Sequence, residues 1–191
     1  MRTYVRAVFA VVVAATALAV ATTVATAATI NISPGGAIDM PSLGRVTFSG
    51  GVLNVRCSVT MKGNLVTSVA ATAGARLGTI SGFEVSTCEG GNIRGILNLA
   101  WSITFSRLTA SGLEATFQNF SINLSVIIFG IVTDCLYSGP VPFLRRISAA
   151  ATELILVLSN RLEKVSGFGS CPASISLAGS FGLTQQTITL T

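Results

Sequence analysis

The sequence predicts an all-β protein: an antiparallel β-sandwich or small closed barrel with two disulfides, preceded by a helical signal peptide. Three observations lead to this prediction. Apolar residues recur at every second position in many short segments. Glycine-rich turn sequences separate those segments. Four cysteines, an even number, follow an amino-terminal export signal. We expect one domain over residues 28–191.

Residues 1–27 are predicted to be a signal peptide. Arg2 and Arg6 precede an apolar stretch, and residues 25–27 (Ala-Thr-Ala) match the small-residue pattern that precedes a cleavage site. An uncleaved anchor is the alternative, because residues 7–28 are numerous enough to span a bilayer. The protein is therefore expected to be secreted or associated with the cell envelope, with no integral membrane segment after signal cleavage.

Alternation of apolar and polar residues places the strands. It is clearest over residues 53–61 and 97–105, where one face is apolar and the other polar. Further strands are predicted at 122–128, 154–158, 175–183 and 188–190, with weaker candidates at 45–48, 79–86 and 133–138. Turns are predicted at 49–51, 62–64, 90–92, 111–112 and 138–140. Many short strands with such turns favour a sandwich or a small barrel.

The cysteines Cys57, Cys88, Cys135 and Cys171 are predicted to form two disulfides, because the chain carries an export signal. Three pairings are possible. We favour Cys57–Cys88 with Cys135–Cys171, since both loops are about 30 residues long and a Ser-Gly-Phe sequence precedes Cys88 and Cys171 alike. A zinc site is the alternative, but the sequence has no C-x-x-C spacing.

The order of cysteines, glycines and the single tryptophan extends over most of the mature chain. It comprises Leu77-Gly78-Thr79-Ile80, Cys88-Glu89-Gly90-Gly91, Ala100-Trp101, Cys135, residues 162–167, Cys171-Pro172 and Gln186-Thr187-Ile188-Thr189. This order resembles a group of uncharacterised exported, cysteine-paired all-β proteins common in actinobacteria. The resemblance implies a fold and a compartment, and it implies neither an activity nor site residues.

The composition argues against most catalytic classes. The chain has no histidine, which removes Ser-His-Asp and Cys-His catalysis, histidine acid–base chemistry and most zinc sites. Only 10% of residues are charged, and the formal net charge is +5. Removing Arg2 and Arg6 lowers that charge to about +3, and the other basic residues are scattered, unlike a nucleic-acid interface. We therefore expect neither enzymatic activity, nor a cofactor, nor nucleic acid as a partner.

The remaining candidates for chemistry are carboxylates and one serine–lysine pair. Glu84, Glu89 and Asp134 are the candidate acids of a glycosidase-like hydrolase, which needs two facing carboxylates. Lys164 and Ser166 are the candidate dyad. Nothing in the sequence brings any of these side chains together, so surface roles are the simpler interpretation.

Two other features concern packing and contact. Trp101 is predicted to be a core residue, because it is in phase with the apolar positions of its strand. Residues 140–146 are predicted to form an exposed loop that joins apolar side chains to two arginines. Its candidate partner-contact residues are Pro140, Pro142, Phe143, Arg145 and Arg146. Their partner would be a cell-envelope component, such as an anionic polymer, or a protein; a plain exposed turn is the alternative.

The sequence thus favours an exported, non-enzymatic β domain with a structural or interaction role at the cell envelope or outside the cell. Three alternatives stay open: a small apolar-ligand carrier, an envelope pore and a carboxylate-dependent hydrolase. A carrier requires a cavity of several hundred Å³ (roughly 300 Å³ or more). A membrane-spanning pore requires alternating strands of about 9–11 residues.

Overall fold

The computed structural model describes residues 28–96, 98–110, 112–145, 160–183 and 186–191. The predicted signal peptide (1–27) and the predicted strand at 154–158 lie outside these ranges. In the described residues no helix is long and apolar enough to cross a membrane.

Regular structure in the described residues consists of β-strands. Their bounds are β1 Thr29–Ser33, β2 Gly36–Pro41, β3 Val46–Gly50, β4 Leu53–Leu65, β5 Ser68–Ala70, β6 Arg76–Glu89, β7 Asn92–Ile96, β8 Trp101–Thr109, β9 Gly112–Ile128, β10 Ile131–Arg145, β11 Asn160–Gly167, β12 Ser174–Ala178 and β13 Thr187–Leu190. The pairings between them are antiparallel. The predicted all-β, antiparallel fold class is confirmed.

Hydrogen bonding closes eight strands into a ring. The path runs from β3 through β4, β6, β8, β9, β10, β11 and β12 and returns to β3. β2 extends the ring beside β4, and β7 extends it beside β9. A separate sheet of three strands, in the order β13-β1-β5, adds Ile30 and Ile32 to the same core.

The core fills the interior of the ring. In β4 the side chains of Leu53, Val55, Cys57, Val59 and Met61 are buried, whereas the residues between them are more exposed. Each Leu or Ile buried in this way contributes roughly 1.5–3 kcal/mol to stability. The bulkiest fully buried side chains include Trp101, Tyr137 and Phe48.

Trp101 is a core residue, as predicted. Its ring is fully buried and lies 4.4 Å from the Phe120 ring and 5.9 Å from the Phe83 ring, measured between centroids. The predicted strand at 97–105 begins only at Trp101. Asn98 and Ala100 have positive φ values of 55° and 81°, which a β-strand does not allow. Residue 97 lies outside the described ranges.

Two of the predicted turns are wrong. Residues 62–64 lie inside β4, and residues 138–140 lie inside β10. Both places carry a register shift of the kind that a β-bulge produces. A methyl group on Gly63 would lie 2.1 Å from the carbonyl oxygen of Thr79. The glycine therefore allows two strands to approach closely, and the chain does not turn there.

Both predicted disulfides are present. Cys57–Cys88 joins directly opposed residues of β4 and β6, with a Cα–Cα distance of 4.1 Å. Cys135–Cys171 joins β10 to the segment before β12, with a Cα–Cα distance of 5.8 Å. These bonds use the thiols of all four cysteines, so the zinc alternative loses its proposed ligands.

Candidate functional site

Residues 140–145 of the predicted contact loop are part of strand β10, which corrects that prediction. Phe143 and Arg145 are buried, whereas Pro140 and Pro142 are exposed. Pro142 lies beyond the part of β10 that pairs with β11, so its missing N–H interrupts no described pairing with that strand. Arg146 lies outside the described residues. Contact of this segment with a partner stays a prediction.

The three candidate carboxylates lie beside basic side chains at the surface. The ion pairs are Glu84 with Lys62 at 2.6 Å, Glu89 with Arg45 at 2.6 Å and with Arg56 at 3.3 Å, and Asp134 with Arg94 at 3.7 Å. The hydrogen bond to Glu84 raises the pKa of Lys62. Lys164 of the candidate dyad donates from Nζ to the carbonyl oxygen of Cys171 at 3.3 Å. The three carboxylates therefore form surface ion pairs, and Lys164 stabilises the loop that contains Cys171.

Several turns meet at one end of the ring. A methyl group on Gly51, in the β3–β4 turn, would lie 3.5 Å from Pro172, in the loop before β12. A methyl group on Gly91, in the β6–β7 turn, would lie 2.8 Å from Val126, near the tip of the β9–β10 hairpin. The same methyl group on Gly91 would lie 2.8 Å from Val55 of β4, the strand that follows the β3–β4 turn. The four segments are therefore neighbours in space, although they lie far apart in the chain.

This end of the ring exposes large apolar side chains. Their exposed fractions are 67% for Val52, 71% for Ile127, 88% for Phe129, 68% for Ile131, 58% for Val132 and 75% for Phe168. We call these six residues the apolar end. Single exposed apolar residues are normal, but a cluster of them marks an interaction surface.

Phe129 occupies a conformation that is unfavourable for its side chain. Ile128 pairs with Ile131, so Phe129 and Gly130 form a two-residue turn. Both have positive φ values, 51° and 80°, as in a type I′ turn, where Asn, Asp or Gly is preferred. A non-glycine residue held there costs roughly 1 kcal/mol or more. Since Phe129 is 88% exposed, packing of its side chain in the core offsets little of this cost.

The side chains of the apolar end point in different directions. Ile127 and Val132 are directly opposed on β9 and β10 and share the outer face of the sheet. Phe129 extends from the tip, and Phe168 follows β11, whose last residue is paired with Cys135. The hairpin tip is therefore a protruding apolar element with more than one exposed side.

Basic side chains predominate next to the apolar end. Arg45 and Arg56 both pair with Glu89, Arg94 pairs with Asp134, and Lys164 lies in β11, the strand that leads to Phe168. Four cations thus face two carboxylates. A surface groove of about 610 Å³ runs between β7 and the hairpin, and Arg94, Ile127 and Val132 are among the residues that line it.

Among the described residues, two buried ionisable groups lie in the interior of the ring. Burial raises the pKa of Tyr137 to about 12, and its hydroxyl donates to the carbonyl oxygen of Pro172 at 3.1 Å. Burial lowers the pKa of Arg145 to about 10. Interior cavities between the apolar side chains measure about 30 Å³ and about 10 Å³.

Comparison with known proteins supplies no relative. No family model matches the sequence, and neither a curated protein nor a solved structure matches it. The resemblance to exported actinobacterial β proteins stays a prediction. Sequence reasoning missed the apolar end, although one signal was present: residues 126–132 are apolar except for Gly130, whereas an ordinary hairpin turn carries polar residues.

Proposed function

We propose that the protein is an exported, non-enzymatic β domain that docks through its apolar end on an anionic lipid surface of the cell envelope. The observation that carries the proposal is Phe129, which is 88% exposed at a turn position with a φ of 51°. A residue that is both strained and exposed adds little to folding stability. The presence of Phe129 at this position is explained if its aromatic side chain becomes buried when the protein binds a target.

The shape of the apolar end favours lipid as the target. Ile127 and Val132 face one side of the hairpin, whereas Phe129 extends from its tip. A rigid protein partner would need a pocket that encloses the hairpin from several sides. The hydrocarbon boundary of a bilayer adapts to a protruding element and buries side chains on each of its exposed sides.

The charge next to the apolar end favours an anionic surface. Arg45, Arg56, Arg94 and Lys164 outnumber Glu89 and Asp134 there. Basic residues near an anionic bilayer contribute about 1 kcal/mol each, and salt weakens this attraction. Binding is therefore expected to combine apolar insertion with a salt-sensitive electrostatic component.

The disulfides support a location outside the cytoplasm. Structural disulfides persist in oxidising compartments and are rare where thiols are kept reduced. Both bonds here join elements that the fold already places side by side, as structural bridges do. Export, the cleaved signal peptide and envelope attachment remain parts of the proposal.

The alternative functions receive less support from the geometry. A carrier would need an interior of several hundred Å³ (roughly 300 Å³ or more), and the interior cavities described above are about 30 Å³ and about 10 Å³. A pore would need an open lumen, whereas Trp101, Tyr137 and Phe117 fill the ring. A hydrolase would need two free facing carboxylates, and the candidate acids lie in ion pairs.

Vesicle binding tests the proposal directly. The exported protein is mixed with vesicles of phosphatidylglycerol and phosphatidylcholine, and with vesicles of phosphatidylcholine alone, and bound protein is measured by sedimentation at low and high salt. We expect binding to the anionic vesicles that weakens with salt. The Phe129→Ser variant should lose about 1.3–2.6 kcal/mol of binding free energy, since 88% of Phe129 is exposed and can become buried in the bilayer. Its affinity should fall about 10- to 80-fold.

Leu108→Ser is the matched control. Leu108 is 37% exposed and lies beside the β8–β9 turn, roughly 50 Å along β9 from the hairpin tip. Its affinity should stay within about twofold of the wild type. Equal binding by the Phe129→Ser variant, or no sedimentation with anionic vesicles, would refute lipid docking. A stable dimer that the Phe129→Ser substitution dissociates would instead identify a second copy as the partner.

A further inference from the structure

We propose that the groove between β7 and the β9–β10 hairpin binds a lipid headgroup, namely a phosphodiester whose alcohol portion carries hydrogen-bond donors, as in phosphatidylglycerol. This inference rests on the proposed function, because it names the headgroup that the docked protein would bind. The groove has a volume of about 610 Å³, and ligand sites typically measure about 300–1,000 Å³. It is therefore large enough to enclose a headgroup.

A row of polar side chains crosses the outer face of the sheet at this groove. Asn92 of β7 pairs with Ser125 of β9, and Ser125 pairs with Asp134 of β10. Asn92 and Ser125 line the groove. Ile127 and Val132 lie two residues nearer to the hairpin tip and share this face, because side chains alternate along a strand. Two members of the apolar end thus border the polar row.

The Arg94 side chain extends over this row. Arg94 belongs to β7 and Asp134 to β10, and β9 lies between these two strands. Because Nε of Arg94 lies 3.7 Å from Oδ1 of Asp134, the arginine side chain crosses β9 to reach the carboxylate. Both side chains stay exposed, by 59% and 47%, and exposed ion pairs contribute little to stability. A ligand can therefore contact both charged groups.

The two charged groups select the chemistry of the ligand. A guanidinium group offers N–H donors in a planar fork that matches phosphate oxygens, and the Asn92 amide and the Ser125 hydroxyl supply further donors. An ionised carboxylate only accepts hydrogen bonds, so Asp134 would accept from a hydroxyl group of the headgroup. Since basic residues predominate next to the apolar end, a headgroup with a net negative charge is favoured.

The position of the groove matches the headgroup layer of a bilayer. Ser125 lies two residues from Ile127 along β9, which corresponds to about 7 Å. The polar layer on each side of a bilayer is about 5–8 Å thick. If the hairpin inserts tip first until Ile127 and Val132 reach the edge of the hydrocarbon, the polar row lies among the phosphates.

Nuclear magnetic resonance with a free headgroup tests the groove without a membrane. The isotope-labelled exported protein is titrated with glycerophosphoglycerol, which has no acyl chains. We expect saturable shifts of the side-chain N–H resonances of Arg94 and Asn92, and we expect the Asn92 shift to be lost in Arg94→Gln. The matched control is Arg107, whose side chain is 71% exposed and pairs with Glu114 near the β8–β9 turn. Its resonance should not move.

Vesicle binding then compares two lipids of equal charge. The vesicles contain phosphatidylcholine with the same fraction of phosphatidylglycerol or of phosphatidylethanol, whose phosphodiester carries an ethyl group without hydroxyls. The protein should bind the phosphatidylglycerol vesicles about tenfold more tightly, as one hydrogen bond to a charged group provides. Asp134→Ala should bring the two affinities within about twofold of each other. Arg56→Gln changes a cation that does not line the groove, so it should weaken binding to both vesicles and keep their ratio.

The outcomes separate this inference from lipid docking itself. Equal binding to the two kinds of vesicle would overturn the headgroup site and leave lipid docking standing, as would headgroup shifts that are identical in the wild type and in Arg94→Gln. Saturable shifts from the free headgroup without sedimentation on either vesicle would refute docking and support a site for a soluble phosphodiester. Neither shifts nor sedimentation would refute both proposals.

Discussion

Removing the two disulfides is predicted to abolish the stability of the domain, and each bridge is predicted to contribute about half of that loss. Cys57–Cys88 closes a loop of 31 residues, and Cys135–Cys171 closes one of 36. In the chain-entropy treatment these lengths correspond to about 3.7 and about 3.8 kcal/mol at 25 °C. The loops do not overlap in the sequence, so the contributions should add to about 7.5 kcal/mol. Domains are typically stable by only 5–15 kcal/mol.

The assay is urea unfolding followed by the fluorescence of Trp101, the single tryptophan. Cys57→Ala/Cys88→Ala and Cys135→Ala/Cys171→Ala should each unfold cooperatively at a lower midpoint. The fourfold alanine variant should show no folded baseline, or only a small one. The slope with denaturant should rise in each variant, because an unfolded chain without the bridge exposes more surface.

Free thiols supply the control for the pairing. Each twofold variant should contain no free thiol, because both partners of one bridge are removed together. Two free thiols in either variant would contradict the pairing. A fourfold variant that unfolds within about 2 kcal/mol of the wild type would refute the loop-entropy reasoning.

Three further predictions concern the core. Gly63→Ala should destabilise the protein by about 1–3 kcal/mol in urea unfolding, because the new methyl group would lie 2.1 Å from the Thr79 carbonyl oxygen. The control is Gly95→Ala, where nothing lies within 4 Å of the new methyl group, and its free energy of unfolding should be close to that of the wild type. Equal destabilisation by the two substitutions would contradict the close approach of the strands at Gly63. Trp101→Ala should cost about 3–5 kcal/mol in urea unfolding followed by circular dichroism, because this variant lacks the fluorescent side chain, and a loss below about 1 kcal/mol would contradict the burial of Trp101. Tyr137 is the only tyrosine after residue 27, and its phenolate absorbance should appear with a midpoint near pH 12. Because the pKa of Tyr137 is raised in the folded state, the contribution of this residue to the free energy of unfolding is complete below the unfolded pKa of about 10 and is lost as the pH rises through the folded pKa. A titration midpoint of the phenolate that is the same in the folded protein and in urea would refute the shift.

Local patterns predicted the parts of the fold that depend on neighbouring residues. The alternation in β4 is a consequence of one buried and one exposed face, and it can be recognised without knowing the partner strands. The burial of Trp101 follows from the same period. The cysteine pairing was predictable because similar loop lengths and similar flanking sequences favoured one of three solutions.

Features that depend on distant pairing escaped prediction. The sequence around Gly63 is typical of a turn, and only the position of β6 shows that this glycine allows β4 and β6 to approach closely. Arg145 resembled a surface charge, since its burial depends on Leu113 and Gln186, which lie far away in the sequence. The apolar end is assembled from four separate turns. A period-two pattern fixes which face of a strand is buried and does not fix which strands become neighbours.

The path by which the ring closes also bears on folding kinetics. β3 and β12 meet through residues 47–49 and 176–178, and Thr29 exchanges backbone hydrogen bonds with Thr191 at 2.7 Å and 3.0 Å. Pairings between such distant segments require large loops to close before any contact offsets the lost entropy, so folding times of milliseconds to seconds are expected. A chain delivered amino-terminal end first would have to wait for its last strands before either sheet is complete. Slow closure of this kind would leave the polypeptide unfolded during synthesis, which is the state that the proposed export through a translocation channel requires.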